Sequence, residues 1–455
     1  MTIKKQINFG KDSIPSLFCK ILIPTLLAMI CQSVMIVIDG AFVGHLVGSD
    51  ALAAINIFTP FWQIITGLGL MLGLGCSVVA TIHLSHKKQL AANLNITQAI
   101  YVGSFCSLLI TFWILLCPEI TARTLGASDR LLPYVLDYEK YICLAAVALF
   151  LEAIGTLIIR LDGSPKYAMV TSSIPSILNV ILDYVFIKEL HFGISGAAIA
   201  TSIGAGVGGI MTIVYLVFLT KNIHVLPIAL TKKLCHMTIK NISHHCRLGF
   251  AILIGEIAGA LMFFIGNLVF LKYMGEDGVA AFSVACYLLP FLFMIANAIA
   301  QSSQPIVSFN YGLHQNDRVF EAKKIATMSA IVMGIILTVI TAFGATAVTE
   351  IFLNRDTPVF DMSVEGLPYF ATCAIPFIIN VSLIGFYQSI EYDKKAFLFS
   401  ILRGAIFIIP SFILAPILFG EKGAWLAITF SEILTLIFIV TFGKVHLKNK
   451  IQAIP

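Results

Sequence analysis

Charged residues are scarce in this chain, and the sequence motifs of common enzyme classes are missing. Asp, Glu, Lys and Arg make up 12% of the 455 residues, against about 25% in soluble proteins, while 58% are apolar. The sequence has no phosphate-binding loop, dinucleotide fingerprint, HExxH zinc motif or GxSxG nucleophile elbow. This composition excludes a soluble globular protein, and an ATP-driven pump or a hydrolase lacks its chemistry. We therefore do not expect an enzyme.

The ten cysteines show no metal-binding or redox spacing. Most lie inside apolar stretches, and no two are spaced like the paired ligands of zinc or dithiol sites. The ten histidines fall mainly between the apolar stretches, where solvated positions are common. We expect no disulfide, no organic cofactor and no metal other than a coupling Na⁺ at the site described below.

The chain is dominated by long apolar runs. With a mean hydropathy of +0.95, these runs predict an all-α polytopic membrane protein. A membrane β-barrel would instead show alternating segments of ~10 residues, and none is seen. The twelve predicted transmembrane helices are 14–43, 52–82, 94–117, 134–160, 166–188, 194–219, 246–273, 278–310, 321–354, 359–390, 395–418 and 422–443.

The distribution of positive charge predicts the orientation. An even number of spans puts both termini on one side, and 22 of the 29 lysines and arginines, Arg403 among them, fall on that side. We therefore expect a multi-pass protein of the cell inner (plasma) membrane with both termini in the cytoplasm. The net charge of +5 then reflects topology rather than nucleic-acid binding. The first run lacks a cleavage site of small residues, so it is predicted to be a retained span.

Small residues recur at an offset of 227, which is close to half of the chain. Gly48, Asp50, Ala53 and Ala54 match Gly275, Asp277, Ala280 and Ala281, and Gly196, Ala197 and Ala200 match Gly423, Ala424 and Ala427. Both matches fall at equivalent hairpins, so the pattern predicts two six-helix lobes related by a pseudo-two-fold axis along the membrane normal. The predicted boundaries are 1–220 for the N-lobe, 221–246 for a cytoplasmic interlobe loop and 247–455 for the C-lobe.

Four polar residues of the N-lobe are predicted at similar depth, toward the outer side. Asp39 lies near the end of the first span, and Thr201 lies about two turns into the sixth. Asn179 and Asp183 are four residues apart and share one helix face. An acid in hydrocarbon costs at least ~2.5–3.5 kcal/mol, and the oxygens of these four side chains suit a small cation or a proton. Alternatively, both acids end their helices at the headgroups, and the other two residues only join neighbouring helices.

A polar stripe on the eighth predicted span indicates a helix that lines a water-filled cavity. The candidate cavity residues are Asn297, Gln301 and Gln304 on this stripe, followed by Pro305, together with Met294 and, from the seventh span, Glu256. Glu432 of the twelfth span lies at a similar depth to Glu256. Hydrogen bonding between helices is the alternative role of the stripe, and pairing with helix-packing partners is the alternative role of both acids.

Several motifs together match one known family. They comprise Asp39, Gly40, Val43, Gly44, Ala51, Leu52, Ala53, Ala54, Asn179, Asp183, Gly193, Gly196, Ala197, Ala198, Thr201, Gln304, Pro305, Ile306 and Gly312. With the length, span count and repeat, they resemble the multidrug and toxic compound extrusion (MATE) transporters, in particular the DinF-like prokaryotic branch. The resemblance implies that the four polar N-lobe residues bind H⁺ or Na⁺. In the NorM-like branch the ion site pairs a glutamate of the seventh span, here Glu256, with an aspartate of the tenth.

The resemblance also implies a function. Family members are cation-coupled antiporters that export amphiphilic, often cationic organic compounds by alternating access. The expected partners are therefore small organic substrates and the lipid bilayer, with no nucleic acid, and we expect a monomer. The alternative is a lipid-linked oligosaccharide flippase of the same broad superfamily, which should have a cationic central cavity, whereas the interiors of the predicted spans hold almost no Lys or Arg.

Overall fold

The chain folds into helices, as its hydropathy predicts. The computed structural model describes residues 8–47, 49–125, 127, 129, 131–227, 232–352, 355 and 358–452. Within these ranges every regular element is helical. The prediction of an all-α fold is therefore confirmed.

The first half contains helices α1 to α8. They are α1 Ile14–Leu46, α2 Ser49–Ser85, α3 Gln89–Leu116, α4 Pro118–Thr124, α5 Leu132–Ile142, α6 Ala146–Leu161, α7 Pro165–Asp183 and α8 Gly193–Val214. A 3₁₀ turn, Cys143–Ala145, joins α5 to α6. One π-helical segment extends α7 through Tyr184–Glu189, and another extends α8 through Tyr215–Leu219. These elements match the first six predicted spans, with α4 as a short addition.

The second half contains helices α9 to α16. They are α9 Lys232–Gly312, α10 Asn316–Phe343, α11 Ala345–Phe352, α12 Pro358–Ala371, α13 Ala374–Ser389, α14 Asp393–Ile401, α15 Ile408–Phe419 and α16 Glu421–Gln452. A π-helical segment, Leu402–Ile406, joins α14 to α15. Gly275 breaks α9 with φ 69° and ψ −163°, a conformation that only glycine adopts readily, so the seventh and eighth predicted spans meet there.

Ten stretches in the described helices are long and apolar enough to cross a membrane. An eleventh is the pair α12 and α13, which bend by 43° at the break between them. The part of α9 before Gly275 corresponds to the remaining predicted span, 246–273. The helices therefore follow the twelve predicted spans.

Helix α9 begins earlier than the sequence predicts. Its first turns, from Lys232, fall within the stretch predicted as the interlobe loop, 221–246. Polar residues of this part bond to α3: the Asn241 amide nitrogen donates to Gln98 Oε1 at 2.8 Å, and His245 Nε2 lies 3.0 Å from Asn95 Oδ1. The basic composition of this stretch predicts a loop. Its hydrogen-bond partners on α3 lie 143 and 150 residues away in the sequence, so no local pattern indicates the helix.

The chain forms two compact units. The first contains Ile23–Gly249, and the second contains Asn8–Leu22 together with the chain from Phe250 onward. The N-terminal residues join the second unit through Arg318 of α10, whose Nη2 donates to the carbonyl oxygens of Phe9 at 2.9 Å and Asp12 at 2.7 Å.

Gly196 and Gly423, which the repeat places at equivalent hairpins, are both required by close backbone packing. A Cβ on Gly196 would lie 3.1 Å from the backbone carbonyl carbon of Phe186, in the segment before α8. A Cβ on Gly423 would collide with the backbone of Ala415, in the helix before α16. Both hairpins therefore need a residue without a side chain where the second helix starts.

Candidate functional site

The hairpin of α7 and α8 positions three of the four predicted N-lobe residues. Pro165 starts α7, where its fixed φ and missing N–H are tolerated. The helix runs to Asp183 and widens into the π-helical segment beyond it, a feature that is frequent at functional sites. Gly193, at φ 57°, then starts α8. The hairpin brings the end of α7 beside the first turns of α8.

Asn179 and Thr201 form a direct link across this hairpin. The Asn179 amide nitrogen donates to Thr201 Oγ1 at 3.1 Å. One turn further along α8, a Cβ on Gly204 would lie 3.0 Å from the carbonyl oxygen of Pro175, so the two helices are closely packed there. Because the amide nitrogen is held by Thr201, the carbonyl oxygen of Asn179 keeps its capacity to accept a proton donor or bind a cation.

Asp39 and Asp183 form the second pair. Asp183 is fully buried, at 0% exposure, and Asp39 is half-buried. Their carboxyl groups lie within hydrogen-bonding reach of each other, although 144 residues separate them in the sequence. No other donor in the described part of the chain reaches Asp39 Oδ1 or either carboxylate oxygen of Asp183. Two ionised carboxylates cannot share such a place without a compensating positive charge, so the pair suits a shared proton or a bound cation.

Aromatic residues are neighbours of both acids, since Phe42 lies one turn after Asp39 and Tyr184 directly follows Asp183. Tyr138 of α5 is buried and lies within electrostatic range of both carboxyl groups. Its ring packs edge-on against Phe58 at 6.0 Å between centroids, and Phe42 packs edge-on against Tyr184 at 6.4 Å. Sequence reasoning missed Tyr138 because nothing in its local pattern distinguishes it from other span tyrosines.

The structure thus brings the predicted N-lobe residues together as two pairs in the first unit. Asn179 and Asp183 share α7, which connects the two pairs along one helix. The oxygen ligands fit Na⁺ or H⁺, and a transition-metal site has no support, since the described residues hold no cluster of three or more His, Cys, Asp or Glu side chains.

The predicted cavity residues of the second unit are placed differently. Gln301 and Gln304 are buried in its interior, whereas Asn297 and Met294 are half-buried. Gln304 Nε2 has no acceptor among the residues described. The side chain of Glu256 lies outside the described part of the chain. Lining of a substrate cavity by these residues stays a prediction.

Glu432 forms a buried ion pair in the second unit, which agrees with its alternative role of pairing with a helix-packing partner, although the sequence did not identify that partner. Arg403 Nε lies 2.7 Å from Glu432 Oε1, and the two side chains are 10% and 4% exposed. The Asn380 amide nitrogen donates to Glu432 Oε2 at 2.7 Å, and the Arg403 guanidinium lies 4.0 Å from the ring centre of Phe377. Glu432 is therefore held by partners within its unit, in contrast to the acidic pair of the first unit. The charge count had assigned Arg403 to the cytoplasmic side, because it lies only two turns into its predicted span.

Repeated apolar helices that enclose a buried pair of acids are typical of a polytopic membrane transporter. The family model MatE matches residues 24–185 and 251–414. The chain belongs to this family, so the predicted MATE membership is confirmed. The two matched ranges begin 227 residues apart, which is the offset of the predicted repeat. Membership of the DinF-like branch stays a prediction.

Several known proteins are similar over nearly the whole chain. The multidrug export protein MepA of Staphylococcus saprophyticus is 23% identical over 415 residues, which are 91% of this chain and 90% of the relative. MepA of Staphylococcus haemolyticus is 22% identical over 444 residues, or 97% and 96%. Among solved structures, an outward-facing multidrug resistance MATE family transporter of the MOP superfamily aligns over 100% of both chains, with a TM-score of 0.90 and 20% identity. At this identity the structural likeness shows the fold.

Proposed function

We propose that this protein exports amphiphilic, often cationic organic molecules across the membrane in exchange for H⁺ or Na⁺. The family supports a transporter, and the similar staphylococcal proteins are named multidrug export proteins. The observation that carries the ion-coupling part is the contact between Asp39 and Asp183 in a buried setting with no other donor among the described residues.

Coupling follows from mutual exclusion. Asp39 lies on α1 and Asp183 lies on α7. Because both carboxylates are negatively charged, they can meet only when a proton or a cation offsets their repulsion. The conformation in which the two carboxyl groups meet therefore binds the coupling ion. The conformation that binds a cationic substrate excludes the coupling ion. Each ligand then shifts the population of the two states, and the ion gradient drives export. One charge moving through the membrane potential supplies ~2.3 kcal/mol per 100 mV.

Asn179 and Thr201 complete the proposed ion site. Thr201 Oγ1 accepts a hydrogen bond from the Asn179 amide nitrogen and so orients the amide carbonyl as a further oxygen ligand. We assign the substrate contacts to the second unit, to the polar face of Asn297, Gln301 and Gln304 together with Met294 and Glu256. Glu432 is excluded from ion coupling in this proposal, because Arg403 already neutralises it.

The test uses purified protein in liposomes loaded with a cationic dye. We expect dye efflux to require an imposed pH or Na⁺ gradient, applied separately to identify the ion. Asp39→Asn and Asp183→Asn should each abolish gradient-driven efflux and leave folding intact, because an amide replaces a carboxylate of similar shape. Glu189→Gln, an exposed acid one and a half turns after Asp183, is the matched control and should transport normally. Efflux at the wild-type rate in both Asp variants would remove the pair from the mechanism.

A further inference from the structure

Glu139 of α5 is a further buried acid that the proposed mechanism does not use. Its side chain is 2% exposed, and neither carboxylate oxygen has a hydrogen-bond donor among the residues that the structure describes. A carboxylate without donors in a dry environment is strongly destabilised. A ligand that supplies N–H or O–H groups would satisfy both oxygens.

Glu139 lines a cavity of about 270 Å³ where α3, α4 and α5 meet. The other lining residues are Ile114, Leu115, Pro118, Leu136, Lys140 and Cys143. Apart from the one acid and the one base, this lining is apolar or weakly polar. The cavity therefore has one acidic and one basic residue in an otherwise apolar lining.

The neighbouring surface of α3 is strongly apolar. Leu115 is 46% exposed, and Leu116 and Trp113 are each 62% exposed, on a helix that is long and apolar enough to span a membrane. Hydrocarbon chains can cover this surface, whereas water covers it poorly. An occupant of the cavity can therefore have a polar head at Glu139 and an apolar tail along α3.

We propose that this cavity binds the headgroup of a phospholipid that carries a primary ammonium group. The ammonium donates hydrogen bonds to the Glu139 carboxylate, the phosphate pairs with Lys140, and an acyl chain lies against Leu115. A primary ammonium offers three donors to the two oxygens, whereas the quaternary ammonium of a choline headgroup offers none. Lys140 would repel a lone organic cation in the same cavity, so the charge pattern favours a zwitterionic headgroup over an amphiphilic amine.

The test measures lipid binding to the full-length protein in lipid-free detergent by native mass spectrometry. The probes are phosphatidylethanolamine and phosphatidylcholine with identical acyl chains. We expect phosphatidylethanolamine to bind about tenfold more tightly, because charge-assisted hydrogen bonds to a buried carboxylate are strong. Glu139→Gln should remove this preference. Asp137→Asn changes an exposed acid on the same helix and should leave it unchanged.

Two further measurements separate the occupants. Lys140→Gln should weaken both lipids by a similar factor, since both carry the phosphate. Dodecylammonium should compete poorly with phosphatidylethanolamine in the wild type. Equal affinity of the wild type for the two lipids would overturn the proposal, as would a preference that survives Glu139→Gln. Tight dodecylammonium binding that strengthens in Lys140→Gln would assign the cavity to an amphiphilic cation instead.

Glu139→Gln is expected to fold, because it removes an unpaired buried charge. A thermal unfolding curve in lipid-free detergent checks this. If this variant fails to fold, the comparison of the two lipids on the wild type and on Lys140→Gln still decides the outcome. The test reads lipid affinity and not efflux, so its failure is distinct from failure of the proposed transport function.

Discussion

Replacing Glu432 by Gln isolates the charge of the ion pair in the second unit. The new amide keeps the shape of the carboxylate and can still accept from Arg403. The Asn380 amide nitrogen also donates to the backbone carbonyl oxygen of Glu432 at 2.8 Å, so its amide cannot turn to accept from the new NH₂ group without losing that bond. The bond from Arg403 is kept and one bond to Asn380 is lost, while the largest change is that the Arg403 guanidinium stays buried without its counter-ion.

The expected loss is large. Removing one partner of a buried ion pair typically costs ~3–5 kcal/mol, since an uncompensated charge stays in a medium of low dielectric constant. Two features place this case near ~3 kcal/mol: the new amide still accepts from Arg403, and the ring of Phe377 at 4.0 Å provides a cation–π contact. Replacing both partners, as Arg403→Met with Glu432→Leu, should restore stability to within ~1 kcal/mol of the wild type, because both desolvated charges are then removed together.

The assay is denaturant unfolding of the purified protein in detergent micelles, followed by tryptophan fluorescence. Glu421→Gln is the matched control, since Glu421 is exposed in the first turn of the same helix and should lose no more than ~1 kcal/mol of helix-dipole stabilisation. The reasoning is refuted if Glu432→Gln loses less than ~1 kcal/mol, or if the double variant loses as much as the single one. The double variant should also retain ion-driven efflux, because the pair has no part in the proposed coupling.

Two further predictions concern the contacts of α8 with α7 and with α6. Thr201→Val removes the acceptor of the Asn179 amide, so we expect the half-saturating concentration of the coupling ion to rise about fivefold, the equivalent of ~1 kcal/mol, whereas Thr201→Ser should stay near the wild type. Ion-dependent efflux kinetics measure this, and an unchanged half-saturating concentration would argue against an oriented amide ligand. Gly209→Ala places a Cβ 2.9 Å from the Cα of Ala148 and should destabilise the protein by ~1–3 kcal/mol in the same unfolding assay. Gly206→Ala, on the same helix with nothing within 4 Å of its Cβ, should be neutral or stabilising, and equal losses in the two variants would contradict the packing argument.

The sequence sufficed for features that depend on local chemistry and periodicity. A mean hydropathy of +0.95 and the long apolar runs specify membrane helices, because a backbone in hydrocarbon must satisfy its own hydrogen bonds. The offset of 227 identified the two repeats, and the family match begins at the same offset in each half. The spacing of Asn179 and Asp183 alone predicts that they share a helix face, because that relation is set by the helical turn.

The tertiary structure decided which distant side chains meet. Hydropathy predicts that Asp39 and Asp183 lie in spans, but their contact depends on how α1 packs beside α7. Tertiary packing likewise decides that Arg403 meets Glu432 and that a cavity forms beside Glu139. It also decides the hydrogen bonds of Asn241 and His245 with α3, at the start of α9. Helices in a membrane select their neighbours by close packing and interhelical hydrogen bonds, since lipid is as apolar as the helix surfaces themselves. Those choices involve residues far apart in the chain, and no local pattern encodes them.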